Sequence, residues 1–241
     1  MCGIGGIYIR KKTGLNQKDL KQLWVNLEDR GKHASGIAFL WQDADKVIVR
    51  KGPRKASSNH SMIDSMGQMV QYALLHTRYT TQGSVDNNSN NHPVVRDSVI
   101  MTHNGVIGND WEMFKDLDIQ PRFEVDTEAL VAGIEEKGIG WTARKASGSM
   151  SIAWVNTENL EEVNLFTNGR NPLVIGELEN GSIVWASGFH HMKHYKPLKY
   201  FHAIPGVLYT LSPQGIRYKP IKGDWPQKPL KLRESYYGRV Y

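Results

Sequence analysis

SMSIAWVNTENLEEVNLFTNGRNPLVIGELENGSIVWAS, residues 149–187, contains four apolar runs cut by three sets of turn residues, at Asn156–Asn159, Asn168–Asn171 and Glu179–Gly181. Val, Ile, Phe and Trp suit a pleated, half-buried surface, whereas Asn and Gly supply the conformations and local hydrogen bonds of turns. The spacing predicts four consecutive strands. Working outward, further strands are predicted at Cys2–Arg10, Ala73–Tyr79 and Val99–Thr102. Gly36–Trp41 and Val47–Arg50 flank the hairpin signal Asp43-Ala44-Asp45, and a last hairpin is predicted across Ser212–Gly215. Helical spacing shows in two places. Leu20, Leu23, Trp24 and Leu27 follow Asn16, with Gly31 as a C-terminal cap. Asp126-Thr127-Glu128 opens a run with Leu130, Val131 and Ile134 on one face and Gly138 behind it. Clustered strands with segregated helices predict an α+β architecture of antiparallel sheets, not an alternating doubly wound one.

The chain has 241 residues, a net charge of +6 and one cysteine. A single cysteine excludes an intrachain disulfide framework and an all-cysteine metal site, and suits a reducing, cytoplasmic setting. No signal peptide and no membrane span are expected, since no run of about 18 apolar residues occurs. From Ser212 onward, seven Lys/Arg stand against Asp224 and Glu234. The excess charge therefore sits in a C-terminal tail and the body is nearly neutral, so nucleic acid is a partner only through that tail.

The one thiol, Cys2, stands directly behind Met1. A stray cysteine can fall anywhere. Removal of Met1, however, would leave a thiol and a free α-amine on one residue, and an amine of pKa about 7.7–8.0 can accept the thiol proton. An acyl-transfer nucleophile also needs oxyanion donors. Asn104-Gly105 offers a side-chain amide and a backbone N–H, though Asn-Gly is equally a two-residue hairpin turn. Arg78, at the end of an apolar strand, can clamp a carboxylate or be a surface arginine. Asp126 can accept from an ammonium group or be a helix N-cap. An arginine for a carboxylate and an aspartate for an ammonium would together bind a free amino acid.

The ordered set Cys2-Gly3-Ile4, Arg30-Gly31, Ser35-Gly36, His76-Thr77-Arg78, His92-Pro93, His103-Asn104-Gly105 and Asp126-Thr127-Glu128, with the tract Asn171–Gly176, resembles the class II glutamine amidotransferases. These are N-terminal nucleophile hydrolases, with similar glutaminase domains in glucosamine-6-phosphate synthase, amidophosphoribosyltransferase and asparagine synthetase. The resemblance implies a four-layer αββα sandwich of two antiparallel sheets over residues 2–212, with 213–241 as a basic, aromatic tail. It implies that Cys2 attacks the γ-amide of L-glutamine through a thioester, with Asn104 and the Gly105 N–H as the oxyanion hole. Arg78 would hold the substrate carboxylate, Asp126 its ammonium, and Thr81 and Gly105 the pocket, while Arg30 supports the nucleophile. Tyr79 and Thr81-Gln82 are nearer the phosphoribosyl-transferring branch than the aminosugar one. Lys32-His33-Ala34 stands where an acidic residue is common. No synthase segment, Walker-type loop or dinucleotide fingerprint accompanies these motifs, so the ammonia acceptor is expected on a separate synthase partner, and no cofactor is expected.

The rivals are a hydrolase of another amide and a non-catalytic scaffold of the same fold. Arg78 with Asp126 argues against the first, and intact Cys2, Asn104 and Gly105 against the second. His190, His191 and His194 have no acidic or cysteine neighbour in sequence; they are expected to form a solvated or partly packed loop, with no metal. The tail aromatics Trp225, Tyr236, Tyr237 and Tyr241 could meet a partner or pack on the domain.

Overall fold

Residue parity along the strands sorts the core. The structure, a computed structural model, describes residues 1–10 and 14–226. The strands in chain order are β1 (Gly3–Tyr8), β2 (Ala34–Trp41), β3 (Ile48–Gly52), β4 (Val70–Arg78), β5 (Val94–Val95), β6 (Val99–Ile107) and β7 (Gly148–Asn156). After them come β8 (Asn159–Thr167), β9 (Val174–Glu177), β10 (Ile183–Ala186), β11 (Lys199–His202), β12 (Val207–Ser212) and β13 (Gly215–Pro220). One sheet runs β11-β9-β10-β1-β4-β2-β3 and the other β13-β12-β8-β7-β6-β5. Every pairing is antiparallel.

Even-numbered Ile4, Tyr8, Ala38, Leu40, Tyr72 and Leu74 of the first sheet meet Ile100, Ala153, Val155, Val163 and Leu165 of the second in one buried cluster between the sheets. Their neighbours Ile7, Ile37, Phe39, Ala73 and Leu75 point the other way, onto Leu20, Leu23 and Trp24 of helix α1 (Gln17–Asn26). On the second sheet, Val99, Met101, Ile152 and Trp154 pack with Leu130 and Val131 of a long helix whose range is given below. A period of two with both faces apolar is what a strand buried on both sides requires. The result is four layers, helix, sheet, sheet, helix, as the resemblance implies.

The remaining helices are short α2 (Ser61–Asp64), α3 (Asp110–Leu117), α4 (Thr127–Lys145) and α5 (Phe189–Met192). Asn16 caps α1 by accepting from the N–H groups of Lys18 and Asp19, and the chain then tightens into a 3₁₀ turn, Leu27–Asp29. Gly31 is not a left-handed cap. A Cβ there would lie 2.4 Å from the backbone of Arg78, so glycine is present for close approach. Gly138 does not end its helix either; at φ +75° it kinks α4, which resumes beyond it. Asn104-Gly105 is no hairpin turn, because both residues lie inside β6, opposite Ser151 and Met150 of β7.

The second sheet continues past Ser212 into β13. Trp225 packs edge-on against Phe166 and donates to the Ile221 carbonyl at 2.7 Å. The expected tail is therefore part of the domain as far as Pro226. The tail residues Lys228, Lys231, Arg233, Arg239, Tyr236, Tyr237 and Tyr241 lie outside the described residues, and with them the nucleic-acid and partner expectations. No helix among the described residues is long and apolar enough to cross a membrane.

Candidate active site

Register places the nucleophile. β1 pairs with β4 so that Gly3 faces Thr77, and the next residues outward are Cys2 and Arg78. The end of β6 in the other sheet and the start of α4 close the same corner. The cleft there is lined by Cys2, Arg78, Thr81, Gly105 and Asp126, backed by His92, His103 and Thr127. Five of the residues singled out from sequence are thus brought together. Arg30 lies behind them, its Nε donating to the Cys2 carbonyl at 2.8 Å.

The Cys2 thiol is half-buried and donates to the Tyr79 carbonyl at 3.6 Å. Burial pushes its pKa up and the nearby Asp126 carboxylate adds to this, against the pull of the chain's amino terminus and Arg78. The resting sulfur is therefore protonated and needs a base. Arg78 is buried, with Nη1 donating to Asn91 Oδ1 at 2.7 Å and Nη2 to the carbonyls of Gln82 and Gly83. It is no surface arginine. Asp126 makes no capping bond to its helix; its Oδ2 accepts from the Ile107 N–H at 2.6 Å, tying α4 to β6.

Asn104 is fully buried, and neither atom of its side-chain amide has a hydrogen-bond partner among the described residues. Its carbonyl accepts from Asn171 Nδ2 at 2.9 Å, so its backbone is fixed while its side chain is uncommitted. At Gly105 a Cβ would lie 1.8 Å from the Ser149 carbonyl, so no other residue fits at this point of β6. Behind the cleft three imidazoles are wired together. His103 Nε2 must donate to the Ser149 carbonyl (3.2 Å), so its Nδ1 accepts from the Thr127 hydroxyl (2.9 Å). That hydroxyl in turn accepts from His92 Nε2 (2.9 Å). His76 Nε2 donates to the His103 carbonyl at 3.0 Å, and its ring stacks on His92. Burial lowers the pKa of all three, that of His76 to about 3. Burial favours the neutral form of all three, and the contacts are those that neutral rings can make.

Three positioning residues, Lys51, Asn91 and Asn171, were given no role by the sequence. Lys51 donates to the carbonyls of Asn91 (2.7 Å) and Pro93 (2.9 Å), fixing the segment whose Asn91 holds Arg78; burial lowers its pKa to about 8. Asn91 adjoins the His92-Pro93 motif, which could have drawn attention to it. Asn171 opens the tract Asn171–Gly176, but nothing in sequence links it to Asn104. At the entrance, His33 accepts from the Thr80 N–H at 3.0 Å and its ring tilts over Tyr79.

A thiol at the outer end of a β1–β4 pair, in a helix–sheet–sheet–helix sandwich, defines the N-terminal nucleophile hydrolase architecture. Residues 76–194 match the family model described as the glutamine amidotransferase domain. It is 28% identical over 200 residues to glutamine–fructose-6-phosphate aminotransferase (isomerizing) of Shouchella clausii, covering 76% of this chain and 32% of that protein. It is 25% identical over 231 residues to 7-cyano-7-deazaguanine synthase of Saccharolobus solfataricus, covering 91% and 45%. The chain therefore spans less than half the length of either relative. Glutamine phosphoribosylpyrophosphate amidotransferase from B. subtilis superposes with a TM-score of 0.76 at 20% identity, over 93% of this chain and 50% of that one, a likeness of fold.

Proposed function

We propose that this protein hydrolyses L-glutamine to L-glutamate and ammonia through a thioester at Cys2. The observation that carries the reading is Asn104. A buried amide with donor and acceptor both unpaired costs about 1–3 kcal/mol per group, and such a group is retained where a ligand completes it. It adjoins Gly105, on the cleft that also holds a thiol, a guanidinium and a carboxylate.

With Met1 removed, the α-amine of Cys2 takes the thiol proton as Sγ attacks the glutamine amide carbon. The resulting oxyanion is met by Asn104 Nδ2 and the Gly105 N–H. Collapse breaks the C–N bond, and the α-ammonium returns its proton to the departing nitrogen, which leaves as ammonia. Water, deprotonated by the same amine, then opens the thioester to release glutamate and the thiol. Arg78 holds the substrate's α-carboxylate and Asp126 its α-ammonium, with Thr81 beside them. The free volume of the cleft is about 10 Å³, so glutamine binding requires the cleft to widen. The matched relatives are an aminotransferase and a synthase, so we assign the ammonia to an acceptor held by a synthase unit.

The test is intact mass before and after treatment with a chloroketone analogue of glutamine. Loss of Met1 and one adduct on Cys2, suppressed by excess glutamine, are expected. Full glutaminase activity with an uncleaved N-terminal extension would refute the mechanism, because an amide nitrogen has no useful basicity.

A further inference from the structure

Outside the lining of the cleft, the fold supplies the histidine pair with the acidic neighbour that it lacks in sequence. Asp29 ends the 3₁₀ turn after α1, and α5 packs beside it. His191 Nε2 lies 2.9 Å from Asp29 Oδ1, and His190 Nε2 lies 3.0 Å from Asp29 Oδ2. Both imidazole nitrogens and the carboxylate lie within 4.8 Å of one another. His194 takes no part; its Nε2 faces the Asp19 carbonyl at 2.9 Å.

The second observation is the donor balance at His191, which is wholly buried. Its Nδ1 sits 3.1 Å from the Gly188 carbonyl and its Nε2 points at a carboxylate. Both neighbours are acceptors, and a neutral imidazole has one N–H. With Nδ1–H given to Gly188, the Nε2 lone pair faces a carboxylate oxygen, a repulsion that a second proton on the ring or a cation between the two relieves. A proton on each histidine would place two imidazolium rings 3.8 Å apart, centroid to centroid, over a single carboxylate.

We propose that Asp29, His190 and His191 form a binding site for a divalent late first-row metal ion of the Zn²⁺ type. Two ligands about 2.0–2.2 Å from such an ion, at octahedral to tetrahedral angles, are themselves about 2.9–3.4 Å apart. The Nε2–oxygen separations fall at that spacing. The donor set of two imidazoles and a carboxylate favours zinc, nickel or copper over magnesium or calcium. Nδ1–H donated to a backbone carbonyl is the outer contact that fixes a ligating histidine's tautomer. A Cβ at residue 188 would lie 2.9 Å from the His190 ring, so Gly188 makes room for the pair. Asn26 Nδ2 holds the His191 carbonyl at 2.8 Å, tying α5 to the end of α1. The next residue after Asp29 is Arg30, so the ion would clamp the turn that supports Cys2 from behind.

The experiment is a Zn²⁺ titration by calorimetry of tag-free protein in the Cys2→Ala background, which removes the only thiol, with Co²⁺ absorption as a second readout. One ion per chain and a cobalt d–d band are expected, with Mg²⁺ giving neither. His190→Ala and Asp29→Asn, at sites more than half exposed, should each weaken binding at least tenfold while leaving the circular dichroism unchanged. No saturable binding by the parent, or binding unaltered in both variants, would overturn the proposal and leave His191 as an imidazolium paired with Asp29.

Discussion

Asn104 and Asp126 divide the chemistry between turnover and binding, and substitution separates the two. Losing one oxyanion donor lowers kcat about 10²–10³-fold, so Asn104→Ala should show that fall with little change in KM. Truncation removes two unpaired polar groups and leaves a small cavity, opposing effects, so thermal stability should not fall markedly. A fall in melting temperature with kcat intact would instead make Asn104 structural. Asp126→Asn keeps an oxygen for the Ile107 N–H and loses the charge. Removing one partner of a desolvated charge pair costs about 2–5 kcal/mol, so the glutamine KM should rise at least tenfold in steady-state assays; an unchanged KM would remove Asp126 from ammonium recognition. Sequence order alone brought Cys2, Arg78, Asn104 and Asp126 to notice, because each sits in a short motif. Lys51 and Asn171 stayed hidden because their role is a contact to a carbonyl from a distant segment, which no spacing encodes.

The segment carrying Asn91 and His92 shows how an element transmits position. Lys51, on β3, reaches the carbonyls of Asn91 and Pro93, and Asn91 in turn grips Arg78. Lys51→Met keeps the apolar stem and removes the ammonium, leaving two carbonyls unpaired at about 1–3 kcal/mol each. The glutamine KM should rise several-fold and the melting temperature should fall, with kcat at saturation largely retained. Unaltered KM in the folded variant would show that Arg78 is positioned without this segment. Most elements were legible for a physical reason: turn residues punctuate the strands from 149 to 187, and the structure turns at each of the three places. Asn-Gly at 104–105 misleads because its local preference for a turn is overridden by pairing along the whole of β6 with β7. The strand β11 has only Lys199-Tyr200-Phe201-His202, too short and too exposed to show an alternation.

At the scale of the whole molecule, antiparallel sheets with segregated helices were readable from the clustering of strand-like runs, and the four layers from the family resemblance, whereas the layer of neutral histidines between β4, β6 and α4 was not. It is a property of packing: His76, His92 and His103 come from three segments and lose their water together. This gives the fold a definite acid response. Arg78, Lys51 and Asp126 are the charged groups around the cluster, the two cations opposing protonation of His76 and His92 and Asp126 favouring that of His103. In the native state burial holds the pKa of all three rings below the ordinary value, His92 well below it and His76 at about 3. In the unfolded chain each titrates near pH 6.5. Below that value the unfolded state binds protons that the native state refuses, so stability falls as pH falls, and above about pH 7 the three make no contribution to the slope. A ring that stays neutral adds about 1.4 kcal/mol per pH unit once the unfolded chain is protonated, so His76 alone gives about that slope near pH 5.5, and His92 and His103 steepen it. Urea midpoints measured from pH 7.5 to 5, a window above most carboxylate titration, should show this slope appearing below about pH 6.5. A change of less than one proton across that window would mean that the imidazoles accept protons in place, and that the directional chain from His92 through Thr127 to His103 does not hold in the native state.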